Sequence, residues 1–362
     1  MKIAFDHLIF LNQRFGGVSR YLVRLMEQLS GCGEDVLVTG LVHQNAYLNR
    51  FEGAIGKPRY VSSLHPKLRR LSYEAGVLRS GAQLKSYQPD VLHESFYGGG
   101  RVGSTPLPRI CTIHDMIHEI YPELADRDGR VSKIKRETVR RSDLVICISE
   151  QTKSDLIRFF GTPAEKIRVV YHGAEWFEGE AEIPQIERPF ILYVGARSGY
   201  KNFDTLLEGY ASDPAIHSSF DLLAFGGGGF NAAETAKIGS LGLVGKVRQL
   251  GGSDALLAGL YRNAKIFAYP SSYEGFGLPP LEAMSMDCPV IASNQSCIPE
   301  IVGDAAILVD PHSQSAWASA LNELLTSEDK CDRLRAAGHS RLKMFRWEKC
   351  AEETLKIYQE IS

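Results

Sequence analysis

Short apolar runs alternate with longer segments of helical period along most of the chain. The runs are bounded by Gly, Asp or Asn, and the longer segments repeat apolar positions at helical spacing. This alternation is typical of parallel sheets that are covered by helices on both faces. In the first half it predicts strands at 2–6, 35–41, 91–93, 109–113, 144–148 and 167–170, and helices at 18–29, 131–141 and 150–160.

A second series of the same kind follows an acidic segment. It predicts strands at 190–194, 221–225, 247–250, 266–269, 290–292 and 306–309, and helices that start near residues 202, 231, 254, 279, 314 and 327. The acidic segment lacks a clear period, so we place a linker at 175–187. The predicted domains are 1–174 and 188–345, and an amphipathic helix is predicted at about 346–362, which the family resemblance given below assigns to the first domain. The expected fold class is α/β, with two doubly wound, Rossmann-like domains.

Length, charge and cysteine content agree with a two-domain protein of the cytoplasm. The 362 residues are more than one compact core needs. Residues 1–180 hold 25 basic and 21 acidic side chains, whereas residues 181–362 hold 16 and 22. The seven cysteines show no Cys-x-x-Cys spacing, which indicates free thiols in a reducing compartment. No apolar run reaches the roughly 18–20 residues that span a bilayer, and the first residues are too polar for a signal peptide. We expect no nucleic-acid partner.

Residues 57–86 form the most basic stretch of the first half. Its acidic residue is Glu74, and apolar side chains are interleaved with the charges. The basic residues are Lys57, Arg59, Lys67, Arg69, Arg70, Arg79 and Lys85. Two interpretations stay open. The stretch could be a solvated helix face. Alternatively, it could be a binding surface, either for the inner face of an anionic membrane, which would make the protein peripheral, or for a phosphate-bearing acceptor.

The strongest candidate for chemistry is the run at residues 271–284. Glu274 and Glu282 flank a Gly-Phe-Gly-Leu-Pro-Pro turn that follows a predicted strand. Proline favours a helix start here, so the turn would present free amides to an anion at the positive end of that helix. Glu282 would then accept hydrogen bonds from a ribose. The candidate anion donors are the amides of Phe276, Gly277 and Leu278.

At these residues the chain resembles the family 4 retaining glycosyltransferases, which have the GT-B fold. The family's donor site carries two glutamates separated by seven residues and then a proline-valine strand, which residues 289–293 match; the match continues through 298–302. The resemblance implies two Rossmann-like domains facing across a cleft, with the C-terminal helix crossing back to the first domain. It implies a nucleotide-sugar donor, UDP-glucose or GDP-mannose, with UDP-glucose favoured. The implied acceptor is a saccharide or lipid-linked saccharide of exopolysaccharide or cell-envelope synthesis.

The resemblance also assigns donor-side roles to loops that follow other strands. Lys201 matches a family lysine that neutralises the donor diphosphate. The family's arginine is displaced in this sequence, and Arg197 is the candidate for it. Glycines in such loops let the backbone approach a ligand. Further residues expected at the donor are Gly16, Gly17, Gly226, Leu250 and Ser253.

Two strand ends in the first half supply acceptor-side candidates. His114 and Asp115 follow the strand at 109–113, and the histidine resembles the family's active-site histidine. It is expected to bind the transferred sugar or orient the acceptor. His93 and Glu94 end another strand and are expected at the same edge. A purely structural histidine is the alternative at both positions.

The expected reaction transfers a hexose to a hydroxyl with retention at the anomeric carbon. The catalytic candidates are His114, Glu274, Arg197 and Lys201. Cations and amides would stabilise the leaving diphosphate, so neither a divalent metal nor another cofactor is expected. Because Glu282 is assigned to ribose, a double displacement by two carboxylates is not expected. Residues 126–128 imitate an Asp-x-Asp metal motif, but their polar surroundings predict a solvated loop.

Three rival functions stay open. A nicotinamide-dependent dehydrogenase requires a Gly-x-Gly-x-x-Gly motif after the first strand, and residues 11–17 lack it. A catalytically silent sugar-nucleotide binding module would keep the glutamates but lose the cations and the histidine. A UDP-sugar epimerase shares the fold, and the turn at 275–279 argues against it.

Overall fold

The chain forms two compact units. The computed structural model describes residues 1–97, 106–174, 177, 179–197 and 199–362, with only the backbone at residues 66 and 67. Unit 1 comprises Met1–Gly173 and Trp347–Ser362, and unit 2 comprises Ala174–Arg346. The chain passes from unit 1 to unit 2 after residue 173 and returns to unit 1 after residue 346. The predicted first domain ends at residue 174 and the predicted second domain at residue 345, so each position differs by one residue. Of the predicted linker, residues 175, 176 and 178 lie outside the described residues, and so does Ser198 of the Lys201 loop.

Unit 1 is built on a seven-stranded parallel sheet in the order β4-β2-β1-β6-β7-β8-β9, beside a two-stranded sheet of β3 and β5. The strands are β1 Lys2–Phe5, β2 Asp35–Val38, β3 Val42–His43, β4 Ala54–Gly56, β5 Arg59–Tyr60, β6 Val91–Glu94, β7 Arg109–Ile113, β8 Leu144–Cys147 and β9 Ile167–Val169. The apolar pattern missed β3, β4 and β5 because strands of two or three residues carry no recognisable period.

Helices cover this sheet. They are α1 Leu8–Asn12, α2 Gly17–Gly31, α3 Ala46–Arg50, α4 Pro66–Tyr87, α5 Ile117–Ile120, α6 Pro122–Ala125, α7 Arg130–Arg141 and α8 Glu150–Phe160. The Asp-x-Asp segment is a turn in which Arg127 and Asp128 are exposed, as predicted for a solvated loop, but Asp126 departs from that prediction. The Asp126 carboxylate is buried and accepts the amides of Val131 and Ser132 at the start of α7, at 3.0 and 2.8 Å. It therefore supplies hydrogen-bond acceptors for helix amides that have no partner within the helix.

Unit 2 repeats the architecture with a six-stranded parallel sheet in the order β12-β11-β10-β13-β14-β15. Its strands are β10 Phe190–Val194, β11 Asp221–Phe225, β12 Val247–Leu250, β13 Ile266–Tyr269, β14 Val290–Ser293 and β15 Ala306–Val309. Its helices are α9 Phe203–Ala211, α10 Pro214–Ser219, α11 Ala232–Ser240, α12 Asp254–Asn263, α13 Leu278–Ser285, α14 Ile298–Val302, α15 Gln314–Leu325 and α16 Glu328–Leu342. The predicted strands coincide with the observed ones to within one residue.

The last helix, α17 Trp347–Gln359, returns to unit 1. Its apolar positions recur every three or four residues, so one face enters the core. Trp347, Ile357 and Tyr358 are buried there against residues of α2. The predicted return of the C-terminal helix to the first domain is confirmed.

Parallel strands bring their carboxyl ends to one edge of a sheet, where ligands of doubly wound folds bind. In unit 2 the loops at that edge include residues 195–202 after β10, 226–231 after β11 and 270–277 after β13. Among the described helices, none has the length and apolar character needed to cross a bilayer.

Candidate active site

An ion pair lies at the carboxyl edge of the unit 2 sheet. Lys201 Nζ is 2.5 Å from Glu274 Oε1, and the two side chains are 19% and 12% exposed. The pair joins the loop after β10 to the loop after β13, which are neighbouring strands of the sheet. Partial exposure leaves both groups accessible to a ligand while low local polarity strengthens their attraction.

The loop that carries Lys201 is tied to the loop that carries Glu274. The amide of Ser272 donates to Tyr200 O at 2.7 Å, and Asn202 Nδ2 donates to Pro270 O at 3.3 Å and to Ser272 Oγ. Asn202 has φ +49°, a left-handed conformation that asparagine tolerates better than most residues. These bonds hold the backbone on either side of Lys201.

The Glu274 backbone is held from the opposite side. Its amide donates to Ser296 Oγ at 3.2 Å, and its carbonyl accepts from that hydroxyl at 2.8 Å. Burial raises the pKa of Tyr269 well above its usual range, and the Glu274 carboxylate adds to this shift. The phenol therefore stays protonated beside the carboxylate.

The turn after Glu274 begins α13 without a side-chain cap. Gly277 has φ +108° and precedes Leu278, Pro279 and Pro280. By contrast, α11, α12 and α15 are capped by side chains. The amides of Gly277 and Leu278 thus lie at a helix start that no side chain caps, a place that favours an anion, and the anion role expected of these amides and of the Phe276 amide stays a prediction. Phe276 itself is buried.

Glu282 lies one turn into α13 and is 7% exposed. Tyr261 Oη donates to Glu282 Oε2 at 3.2 Å, from α12. This bond orients the carboxylate and occupies one of its lone pairs. The ribose role stays a prediction.

Arg197 is placed differently from Lys201. Its side chain is 2% exposed and pairs with Glu234 at 2.8 Å. The guanidinium also donates to the carbonyls of Gly226, Gly228 and Gly229 at 2.8, 2.9 and 3.1 Å. In this structure Arg197 fixes the glycine turn after β11, and the described contacts do not bring it to Lys201 or Glu274. Its contact with a diphosphate stays a prediction.

The predicted nucleobase region lies where β12 ends. Ser253 Oγ caps α12 by accepting the amide of Leu256 at 3.1 Å, and it donates to Glu182 Oε1 at 2.7 Å. Gly226 donates its amide to Leu250 O at 2.9 Å, which joins the glycine turn to this region. Residue 182, in the predicted linker, therefore packs on α12.

The remaining donor-side prediction belongs to unit 1. Gly16 and Gly17 form the start of α2, again without a side-chain cap. A Cβ at Gly16 would lie 2.3 Å from Gln13 Oε1, whereas a Cβ at Gly17 would meet no atom within 4 Å. The clash at Gly16 is with the end of the flexible Gln13 side chain, so packing requires glycine at neither position. A donor contact for this turn stays a prediction.

His114 lies just beyond β7 and is partly exposed. Its ring contacts Tyr21 and His172 at centroid distances of 5.1 and 5.7 Å. Burial lowers the pKa of His114 to about 4, so its imidazole is neutral at physiological pH. The adjacent Asp115 accepts the amide of Ile117 at 3.1 Å, and that bond positions the following helix α5.

His93 and Glu94, the other acceptor-side candidates, are enclosed within unit 1. His93 is fully buried, and its ring nitrogens contact Tyr358 Oη at 2.6 Å and Thr112 Oγ1 at 2.9 Å. Glu94 is also buried and is paired with Arg109, at 3.0 Å, and with Arg141. In this structure both side chains are held by partners of the same unit, and their acceptor-side role stays a prediction.

Sequence reasoning missed the residues that orient the site. Tyr261, Ser272 and Ser296 contact Glu282, Asn202 and Glu274. One local signal could have indicated Tyr261: it is a tyrosine within an apolar helix face, and a buried phenol needs a hydrogen-bond partner. Within the part of the chain that the structure describes, no group of three His, Cys, Asp or Glu side chains is suited to a metal ion. Metal independence stays a prediction.

Comparison with known proteins assigns the family. The model described as "Glycosyltransferase Family 4" matches residues 15–175, and the model "Glycosyl transferases group 1" matches residues 178–341. The chain is 29% identical to O-antigen chain mannosyltransferase B of Escherichia coli, over 95% of this chain and 96% of that protein. It is 30% identical to a D-inositol 3-phosphate glycosyltransferase of Corynebacterium jeikeium, over 75% and 72%.

A solved structure supports the architecture. Sucrose-phosphate synthase from Thermosynechococcus elongatus matches with a TM-score of 0.76 at 22% identity, over 99% of this chain and 98% of that one. At this identity the likeness concerns the fold. Taken with the sequence matches, it shows that the chain belongs to the family 4 glycosyltransferases of the GT-B fold.

Proposed function

We propose that this glycosyltransferase moves a hexosyl residue from a nucleoside diphosphate sugar to a saccharide hydroxyl, with retention and without a bound metal ion. The observation that best supports the proposal is the ion pair between Lys201, in the loop after β10, and Glu274, in the loop that leads to the uncapped start of α13. A cation and backbone amides at a helix start are the groups that a departing diphosphate requires.

In this proposal Lys201 supplies the positive charge that binds the diphosphate. An ammonium has three N–H donors, and the pair with Glu274 uses one of them. The others are directed to oxygens of the diphosphate, while the amides at the start of α13 bind the same group. Glu274 holds the lysine and faces the hexose.

The reaction proceeds on one face of the sugar. The bond between the anomeric carbon and the β-phosphate oxygen breaks, and a bond from the anomeric carbon to the acceptor oxygen forms. The acceptor proton passes to the departing phosphate oxygen. His114, which is neutral because burial lowers its pKa to about 4, serves as a hydrogen-bonding partner for the sugar rather than as a cation.

For the donor, the relative that spans nearly the whole chain favours mannose, because it is a mannosyltransferase. GDP-mannose is therefore the first donor to test, and UDP-glucose, which the sequence resemblance favours, is the second. The name of the same relative, which refers to an O-antigen chain, supports a saccharide or lipid-linked saccharide of a cell-surface polysaccharide as the acceptor.

The first experiment is calorimetric titration of the full chain with GDP, GDP-mannose, UDP and UDP-glucose, in buffer with a chelator. The Glu282→Ala variant tests the ribose role, and Glu323→Ala, an exposed glutamate of α15, is the matched control. We expect one nucleotide pair to bind, about tenfold or more weaker binding in Glu282→Ala, and no change in Glu323→Ala.

The outcomes separate the parts of the proposal. Guanosine preference supports mannosyl transfer, and uridine preference supports glucosyl transfer. Unchanged affinity in Glu282→Ala contradicts the ribose role, and absence of binding by all four ligands contradicts the donor site. Proton NMR of the glycoside product then tests retention, since an inverted anomeric configuration would overturn that step.

A further inference from the structure

Two helices of unit 1, α7 and α8, end beside a cavity of about 330 Å³. The two helices end at Arg141 and Phe160, before the strands β8 and β9 begin. The cavity therefore lies at the amino edge of the sheet, whereas His114 follows the carboxyl end of β7 at the opposite edge. Its volume is at the lower end of the range for ligand pockets.

The cavity has a positively charged rim. The rim consists of Arg136 and Arg140 of α7, which are exposed, and Lys166, which precedes β9 and is partly exposed. None of the described residues that line the cavity is acidic, and the sequence neighbours Glu137 and Glu165 are exposed outside it. Three cations around one small cavity raise the local concentration of anions. A ligand of this cavity should therefore carry negative charge.

The cations of the rim also neutralise the helix ends that face them. Lys166 Nζ donates to Arg140 O at 3.0 Å, and Arg136 Nη2 donates to Phe159 O at 3.1 Å. Both acceptors are carbonyls in the last turn of a helix, whose partial negative charge would otherwise repel an anion. An ammonium has three N–H donors and a guanidinium has five, so most donors of the rim remain for a ligand.

The cavity also has an apolar part. Val139 is 3% exposed, and Phe160 and Pro163 line the cavity with it. The central carbon of the Arg136 guanidinium lies 4.4 Å from the centroid of the Phe160 ring. This stacking holds the guanidinium in one orientation, so less side-chain entropy is lost when it binds an anion.

A larger cavity at the same edge of the sheet lacks this excess of positive charge. Its volume is about 670 Å³, and Arg109, Arg141 and Asp143 line it in part. Both arginines are paired with Glu94, and Asp143 adds a further carboxylate. Of these two cavities, the smaller one is therefore suited to an anion.

We propose that the smaller cavity binds a sugar phosphate. The phosphate contacts the three cations, and the C–H face of the sugar ring packs on Val139 and Pro163. A phosphate monoester carries a charge of about −1.5 to −2 near pH 7, and the fork of an arginine binds two of its oxygens at once. The apolar lining requires a body attached to the phosphate, and the small volume suits one ring better than a nucleotide sugar.

The test is calorimetric titration of the full chain with glucose 6-phosphate, and then with glucose, inorganic phosphate and phenyl phosphate. We expect glucose 6-phosphate to bind more tightly than the other three ligands, with an affinity that falls as salt is added. The double variant R140Q/K166Q should bind it about tenfold or more weakly, because charge-assisted hydrogen bonds are lost. R140E, which changes one exposed side chain, should weaken binding at least as much.

Two control variants locate the bound phosphate. R130Q/K133Q removes two exposed charges at the start of α7, outside the cavity, and should bind as the parent does. Lys201→Met changes the candidate donor site of unit 2 and should also bind glucose 6-phosphate as the parent does. Circular dichroism of each variant checks that the fold is intact.

Several results would overturn the proposal. Absence of binding, or unchanged binding in folded R140Q/K166Q and R140E, removes the site. Equal affinity for inorganic phosphate leaves a simple anion site, and tighter binding of phenyl phosphate assigns an aromatic ligand instead. Loss of binding in Lys201→Met places the phosphate at the donor site. Nucleotide titration of R140Q/K166Q should match the parent in every case, so a failure here is distinguishable from a failure of the proposed function.

Discussion

The two units use similar parallel sheets but surround their polar side chains differently. In unit 1, His93 and Glu94 at the end of β6 are enclosed by partners from the same unit. In unit 2, Lys201 and Glu274 follow strand ends and are still 19% and 12% exposed. A buried polar group with all partners inside the protein stabilises one conformation, whereas a partly exposed pair can exchange its partner for a ligand.

Histidine content shows the same difference. Seven of the ten histidines lie in residues 1–173, and four of them, His7, His43, His93 and His172, are buried. The three histidines of unit 2, at 217, 312 and 339, are not buried. Unit 1 thus holds neutral imidazoles in its core. Unit 2 has no buried histidine among these three, and its partly exposed charges, Lys201 and Glu274, lie at the edge of its sheet.

The largest expected effect is on stability, in unit 1. Lys135 Nζ is 2.7 Å from Glu119 Oε2, with side-chain exposures of 0% and 4%. Lys135→Met leaves a buried carboxylate unpaired, so the free energy of unfolding should fall by about 3–5 kcal/mol. Urea unfolding in a Trp176→Phe/Trp317→Phe background, in which Trp347 is the remaining tryptophan, measures the change by fluorescence. The double variant Lys135→Met/Glu119→Gln should recover part of it, and a loss below about 1 kcal/mol would contradict the comparison.

The next effect is on activity, in unit 2. Lys201→Met should lower the transfer rate by about 10²- to 10³-fold, or roughly 3–4 kcal/mol of transition-state stabilisation. Its unfolding free energy should fall by less than that of Lys135→Met, because the Lys201 and Glu274 side chains keep some exposure to water whereas Lys135 and Glu119 are buried. Lys237→Met is the control, since Lys237 pairs with Glu208 on α9. Equal rate losses in both variants would refute a specific role for Lys201.

Acidification should separate the units. Burial lowers the pKa of His7 and His43 to about 4 and that of His93 to about 3. The unfolded chain therefore binds protons that the folded chain excludes, so stability present above pH 6.5 is lost as the pH falls towards 4. Each histidine contributes a loss of about 2 kcal/mol between pH 7 and 5.

Asp6 opposes this loss, because burial raises its pKa to about 7 and the folded state gains its proton first. The measurement is urea unfolding at pH 7 and pH 5 of two single-tryptophan variants, Trp176→Phe/Trp317→Phe with Trp347 as the probe of unit 1 and Trp176→Phe/Trp347→Phe with Trp317 as the probe of unit 2. We expect a net fall of about 2 kcal/mol or more at Trp347 and a smaller one at Trp317. An equal fall at both probes would disprove the difference between the units.

The smallest expected effect concerns the capping box at the start of α11 in unit 2. Asn231 accepts the amide of Glu234 at 2.9 Å, and Glu234 accepts the amide of Asn231 at 2.7 Å, which forms a capping box at α11. Asn231→Ala should lower the unfolding free energy, monitored at Trp317, by about 1 kcal/mol. Ser327→Ala, at the cap of α16, should cost a similar amount. If Asn231→Ala also weakens donor binding, Glu234 positions Arg197 and the glycine turn for the donor.

Strand positions were predictable because they depend on local apolar runs. The strands of unit 2 were predicted to within one residue, since the interior of a parallel sheet requires continuous apolar side chains. The turn between Glu274 and Glu282 was also predictable, because glycine permits backbone conformations that other residues avoid and proline fixes φ near a helix start. Short elements such as β3 and α3 were not predicted, since two to five residues do not establish a period.

The sequence by itself determined the two parallel sheets, the amphipathic period of α17 and the turn that begins α13, because local propensity and apolar spacing control these features. The return of α17 to the first domain was expected from the family resemblance alone. Tertiary structure alone decided which polar residues are internal and which are available. His93 bonds Tyr358 across 265 positions, and Lys201 meets Glu274 across 73. Partners this distant are brought together by the packing of whole elements, so their hydrogen bonds and charges cannot be assigned from any local pattern.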